Sequence, residues 1–157
     1  IEPEKHLPRF KNILLIKIKG GRPFANALHI PQHFWKIPYN GRRIPGCPQP
    51  EALHLGANCQ LFAYQLLAHF GKRLPDFRSS DLWEDQDFTV QVTAFEPLDL
   101  LLYHRKPLAW GAHVGVYLGD GNVVHLSKTV GYPVIWQHTE FSDYPAYRFF
   151  IGGKRVL

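Results

Sequence analysis

Methionine is absent from this 157-residue chain, and cysteine occurs only twice. Lacking even an initiator methionine, the chain is expected to be a processed or excised piece of a longer product. Its polar start, Ile1-Glu2-Pro3-Glu4, is not a secretory signal, but in such a piece that says little about destination. Two lone cysteines do not provide the paired spacing of a zinc motif. No apolar run reaches the roughly 20 residues of a membrane span. Basic runs are missing too: Arg42-Arg43 and Lys72-Arg73 are pairs, and the rest of the net +5 charge is scattered. Nucleic-acid binding usually leaves a clustered basic stripe, so that class is set aside. A diffuse positive charge suits an anionic polymer, such as a bacterial wall, equally well.

What is present reads as one globular domain. Hydrophobic residues make up 45% and charged residues 20% of the chain, and the length supports one core rather than two. The stretch Gly56-Ala57-Asn58-Cys59-Gln60-Leu61-Phe62 organises the rest. Asn58 is a good N-cap, because its side-chain oxygen can accept a free N–H of the first turn. Phe62, Ala63, Leu66, Leu67 and Phe70 then recur at helical spacing and predict one apolar face. Gly71 stops the helix, and His69, Lys72 and Arg73 suit its C-terminal end. Cys59 falls in the first turn, where the helix dipole favours an anion and can lower a thiol pKa. The competing readings are a buried, inert cysteine and a disulfide to Cys47.

Along the chain, residues 12–19 end in alternation and predict a strand closed by Gly20-Gly21. His29 and His33 have metal-ligand spacing for a helix, but Pro31 between them breaks such a helix, so surface or packed histidines are expected. Pro38, Gly41, Pro45, Gly46, Pro48 and Pro50 predict a long loop from Ile37 to Leu55 that walls any cleft at Cys59. Leu74 to Asp87 reads as irregular. Strands are expected over 88–94, 99–103, 112–118, 122–127, 134–138 and 147–151. A helix followed by antiparallel strands is an α+β layout.

Gly119-Asp120-Gly121 marks a hairpin. If all three residues form the turn, Gly115 faces His125 and His113 faces Ser127. The two histidines are then diagonal neighbours on one polar face. Val114, Val116, Leu118, Val124 and Leu126 would point to the core. If only Asp120-Gly121 turn, the register slips by one and the histidines part. Paired on one face, one imidazole can take the Cys59 proton while the other orients it, and Gly115 leaves room for a substrate backbone.

Several of these segments together resemble the NlpC/P60 cysteine peptidases. They are Pro38-Tyr39 in a Gly-rich loop, Asn58-Cys59 opening a helix, Leu74-Pro75, Pro97-Leu98-Asp99-Leu100, the run from His113 to His125, and Tyr147 to Gly152. The resemblance spans Ile37 to the C-terminus and is most specific between His113 and His125. It implies an α+β, papain-like fold in which the helix bearing the nucleophile packs on an antiparallel β-sheet. It divides the chain into an extension over 1–36, packed on the domain, and a catalytic domain over 37–157. It implies cleavage of amide bonds in peptidoglycan peptides through a thioacyl-enzyme, in a secreted or cell-envelope setting and with no cofactor or metal. Cys59 becomes the nucleophile, His113 the base and His125 the orienting residue, with Tyr39, Asn58 and Gln60 as substrate contacts. The family usually reads Asp-Cys-Ser-Gly where this chain has Asn58-Cys59-Gln60-Leu61, and Gly where it has Leu98. Those departures leave open a non-catalytic module that binds wall peptide, a protein partner or an inhibitor, and a papain-like amidase or acyltransferase.

Overall fold

A computed structural model describes residues 28–157 and the backbone of Ile13–Leu14. Ile13–Leu14 forms β1, antiparallel to β2 at Leu28–His29. The rest of the strand expected over 12–19, with Gly20-Gly21, lies outside the described residues. Pro31 caps a short 3-10 helix at Gln32–Lys36, so His29 and His33 sit on different elements. Among the described residues no cluster of metal-ligating side chains forms. No described helix is long and apolar enough to cross a membrane.

Helix α1 runs Cys59–His69. Asn58 Oδ1 accepts the Leu61 N–H at 2.8 Å. At the other end Gly71 adopts φ +85°, a left-handed value that suits glycine. The Gly71 and Lys72 N–H groups then close onto the Ala68 and Leu67 carbonyls, the paired bonds that satisfy the last turn of a helix. The expected single apolar face is too narrow a description. Gln60 to Tyr64, Leu66 and Leu67 are all buried, because α1 is packed on several sides. Phe70 serves as C-cap rather than as a helical residue.

Six strands form one antiparallel sheet in the order β3-β8-β4-β5-β6-β7. They are β3 (Thr89–Val92), β4 (Leu100–His104), β5 (His113–Gly119), β6 (Asn122–Leu126), β7 (Pro133–Gln137) and β8 (Phe149–Val156). Val114, Val116, Leu118, Val124 and Leu126 share one core with Leu61, Leu66 and Leu67 of α1. Ile30, Phe34 and Trp35 join the same core. Leu101, Tyr103, Val123, Val134 and Trp136 build a second cluster with Phe141 and Tyr147. An antiparallel sheet can leave one face to water, but here apolar side chains cover both.

The expectation of irregular chain from Leu74 to Asp87 is overturned by α2 at Ser79–Glu84. Six residues give too little periodicity to read. The Asp81 carboxylate reaches back to the Arg78 N–H at 3.1 Å and starts the turn. Lys154 of β8 fixes its far end. The buried ammonium donates to the Trp83 carbonyl at 3.1 Å and the Asp85 carbonyl at 2.6 Å. Before β4, Leu98 takes φ +77°, which explains why glycine would be at ease there. That turn is held by Asp99, which accepts the Glu96 N–H at 2.7 Å and two bonds of 2.8 Å from Arg155.

Candidate active site

The hairpin decides whether the histidines meet. Asp120 and Gly121 alone form the turn, with φ of +56° and +82° and Gly119 paired to Asn122. Both values are positive, as a two-residue hairpin turn requires. On the straight-ladder argument this turn should have separated the histidines. It does not, because the register shifts between Tyr117 and Gly119. Leu118 is the extra residue of a β-bulge. Tyr117 therefore faces Val123 and Val116 faces Val124, the register that places Gly115 opposite His125.

The His113 Nε2 and His125 Nδ1 atoms lie 2.9 Å apart, with the rings nearly perpendicular at 84°. Their face is not polar, as expected from sequence, but aromatic. His125 is fully buried, with ring centroids 4.4 Å from Trp136 and 4.7 Å from Phe141. Tyr147 lies 4.6 Å from His113 at 31°. The space at Gly115 is likewise not a substrate groove. A Cβ there would stand 2.6 Å from Val123 Cγ1 and 3.5 Å from His125 Cβ, so the missing side chain makes room for the neighbouring strand.

Burial sets the charge states. It pushes the His113 imidazole down to about 3. His125 is held well below its ordinary value by burial and by the neighbouring His113. Both rings are neutral near pH 7, so each carries one N–H. If Nε2 of His113 donates to His125, the Nδ1 of His113 is left as an acceptor and His125 carries its proton on Nε2. Among the described residues that Nε2 has no hydrogen-bond partner. The negative faces of the aromatic rings around it suit an N–H better than a bare lone pair.

Cys59 opens α1 as a free thiol, half-buried, and Cys47 is also free. The disulfide that competes with the nucleophile reading is not formed in this structure. Burial around the sulfur raises the thiol above its ordinary value. It outweighs the backbone N–H groups of Val114, Gln60 and Cys59, which favour the thiolate, and the Arg78 charge, which does the same. The helix dipole therefore acts in the expected direction but does not dominate. Val114 is the residue after His113, so the sulfur is directed to the base of β5. Among the described residues no hydrogen bond joins Cys59 to His113.

A cavity of about 380 Å³ opens at the sulfur, lined by Tyr39, Asn58, Cys59, Gln60, Arg78 and Trp110 among others. Tyr39 is brought there by a bridge to Ala57, and burial and the nearby Cys59 raise its phenol. Asn58 lines the cavity while its side-chain oxygen caps the helix. Gln60 is buried in the wall. Sequence reasoning missed three neighbours. Arg78 directly precedes Ser79-Ser80-Asp81, a helix-start pattern that gave a usable signal. Trp110 lies on the loop between β4 and β5, with no pattern in the sequence to mark it; Tyr147, expected to open the last strand, lies instead on a short 3-10 turn ahead of that strand. A larger hollow of about 750 Å³, lined by Trp83, Asp85 and Lys154 among others, contains neither Cys59 nor a histidine.

No family model and no curated protein matches the chain. Its fold is shared with the crystal structure of an NlpC/P60 family protein from Bacillus cereus, at a TM-score of 0.51 and 22% identity. The likeness covers 65% of this chain and 32% of that one, so it spans about a third of the solved structure. Helices packed against an open antiparallel sheet make the class α+β, an architecture consistent with a papain-like fold.

Proposed function

We propose that the chain is a cysteine hydrolase of the NlpC/P60 type, cleaving amide bonds in peptidoglycan peptides at the cell envelope. The observation that carries this reading is the 2.9 Å contact between His113 Nε2 and His125 Nδ1, at the foot of the strand whose Val114 N–H faces the Cys59 sulfur. In the proposed reaction Nδ1 of His113 takes the thiol proton. The sulfur bonds to the substrate carbonyl carbon, and N–H groups of the first turn of α1 steady the oxyanion. The C–N bond then breaks, and the leaving amine receives the proton from His113. Water, deprotonated by the same imidazole, hydrolyses the thioester and restores the thiol. His125 accepts the bond from His113 throughout and holds its tautomer. Tyr39 and Gln60 contact the bound peptide from the cavity walls, and Asn58 does so only through its backbone, its oxygen being engaged in the cap. Residues 37–157 form the catalytic unit, with 1–36 as an extension.

The elevated thiol and the lack of a Cys59–His113 hydrogen bond favour a second reading, a module that binds wall peptide with little turnover. Mass spectrometry of products from digested peptidoglycan separates the two. The hydrolase reading expects new amine and carboxyl termini with the wild type and none with Cys59→Ala. It expects His125→Asn to retain more rate than His113→Asn. Retention of wall peptide by both wild type and Cys59→Ala, without any cleavage, would establish the binding module instead.

A further inference from the structure

We propose that the loop between β4 and β5 docks on an anionic lipid surface, with Trp110 and Leu108 entering the interface and Arg105, Lys106 and Arg148 meeting lipid phosphates. Trp110 is 76% exposed and Leu108 42%, a large outlay of apolar surface for one short loop. Arg105 and Lys106 on the same loop are exposed. The pairing of His104 with Phe149 puts exposed Arg148 and Phe149 beside the loop's base. No acidic residue occurs over 104–112 or 145–150, so both segments carry positive charge alone.

The combination selects the partner. An indole rests well where one side is apolar and the other wet. Arginine and lysine stems can lie along the acyl boundary with their charges at the headgroups. A soluble polyanion would reward the cations but give Trp110 and Leu108 nothing. A protein interface also sets an apolar centre inside a polar rim, so an acidic protein partner is an outcome of the test. Trp110, Gly111 and Ala112 also line the Cys59 cavity, so docking would bring the cavity mouth to the lipid surface. The proposal does not depend on hydrolysis.

Co-sedimentation of the full chain with phosphatidylcholine vesicles, with and without phosphatidylglycerol, tests it. The wild type and Cys59→Ala should bind the anionic vesicles equally. Each basic residue near an anionic surface contributes roughly five-fold in partitioning, so Arg105→Gln with Lys106→Gln should weaken binding about 25-fold. Trp110→Ala and Leu108→Ala should weaken it as well, and tryptophan emission should shift to the blue on vesicle addition in the wild type but not in Trp110→Phe. Four outcomes overturn the proposal: no vesicle binding, binding indifferent to these substitutions, an unchanged partition for Trp110→Ala alongside equal retention on soluble polyglutamate, or capture of the loop by an acidic protein in place of vesicles. Arg105, Lys106, Leu108 and Trp110 are exposed, so thermal melts of their variants should stay within about 2 °C of the wild type.

Discussion

Replacing Gly115 with alanine places a carbon 2.6 Å from Val123 Cγ1 and 3.5 Å from His125 Cβ. Carbon atoms rest at about 3.5–4.0 Å, so roughly an ångström must be found inside a sheet with both faces covered. Overpacking of this kind costs about 1–3 kcal/mol. For a chain of this length a central 2 kcal/mol corresponds to about 4–8 °C in Tm. Val123→Ala removes the offending methyl group and costs about 2 kcal/mol by itself through lost burial and a cavity. Thermal or urea unfolding of both single variants and the double variant closes the cycle. The double variant should resemble Val123→Ala alone, leaving a coupling of about 1–3 kcal/mol between two sites that touch. If Gly115→Ala were neutral, or the two losses simply added, the bulged register would be wrong and the pairing of His113 with His125 with it.

Other outcomes follow from the charge states and ion pairs. Because His113 and His125 are held neutral in the fold, the unfolded chain takes up protons first as pH falls. Stability should be flat above about pH 6.5 and fall below it by about 1.4 kcal/mol per pH unit for each histidine, His113 contributing down to about 3; urea unfolding of the wild type and His125→Asn across that range measures it. Alkylation of Cys59 by iodoacetamide should be half-maximal above the ordinary thiol value, and Arg78→Ala should move it higher still. A midpoint below that value, read from the pH profile of the rate, would show that the helix terminus outweighs burial. Asp99→Asn should remove about 1–2 kcal/mol, or about 2–8 °C of Tm, by discharging the buried partner of the paired bonds to partly exposed Arg155; calorimetry gives the number.

The cysteine helix was legible because its signals are local. An N-cap, an apolar run and a stop glycine each act within a few residues, and Asn58 and Gly71 do what their positions predict. The strands of the second half were legible for the same reason, except the last, which starts at Phe149 and runs on to Val156 instead of ending at Ile151. The hairpin was readable only in part. Counting a three-residue turn yields the observed register, yet the chain reaches it with a two-residue turn and the bulged Leu118. A bulge is set by how strands twist and pack, and one sequence does not reveal it. The setting of the histidines was not legible at all. Phe141 and Tyr147 lie on short 3-10 segments that fold back over the sheet, and only the tertiary structure shows them enclosing His125 and His113. The same long-range closure lifts the Cys59 thiol, an effect that the helix position alone reads with the opposite sign.

The bonds from Lys154 to the carbonyls of Trp83 and Asp85 have a consequence for the order of assembly. Strand β8 separates β3 from β4 in the sheet, though it follows both in the chain. During synthesis, a ribosome that has released everything through β7 has made Cys59 and both histidines, and α2 can already hold by Leu82 in the core and by the Ala112 N–H on Ser79 Oγ, but its last turn lacks Lys154 and β3 has no neighbour. The Trp83–Asp85 end of α2 is pinned, and β3 paired, only when residues 149–156 emerge. A nascent product halted before that point should be protease-sensitive around α2 despite carrying every group the chemistry uses.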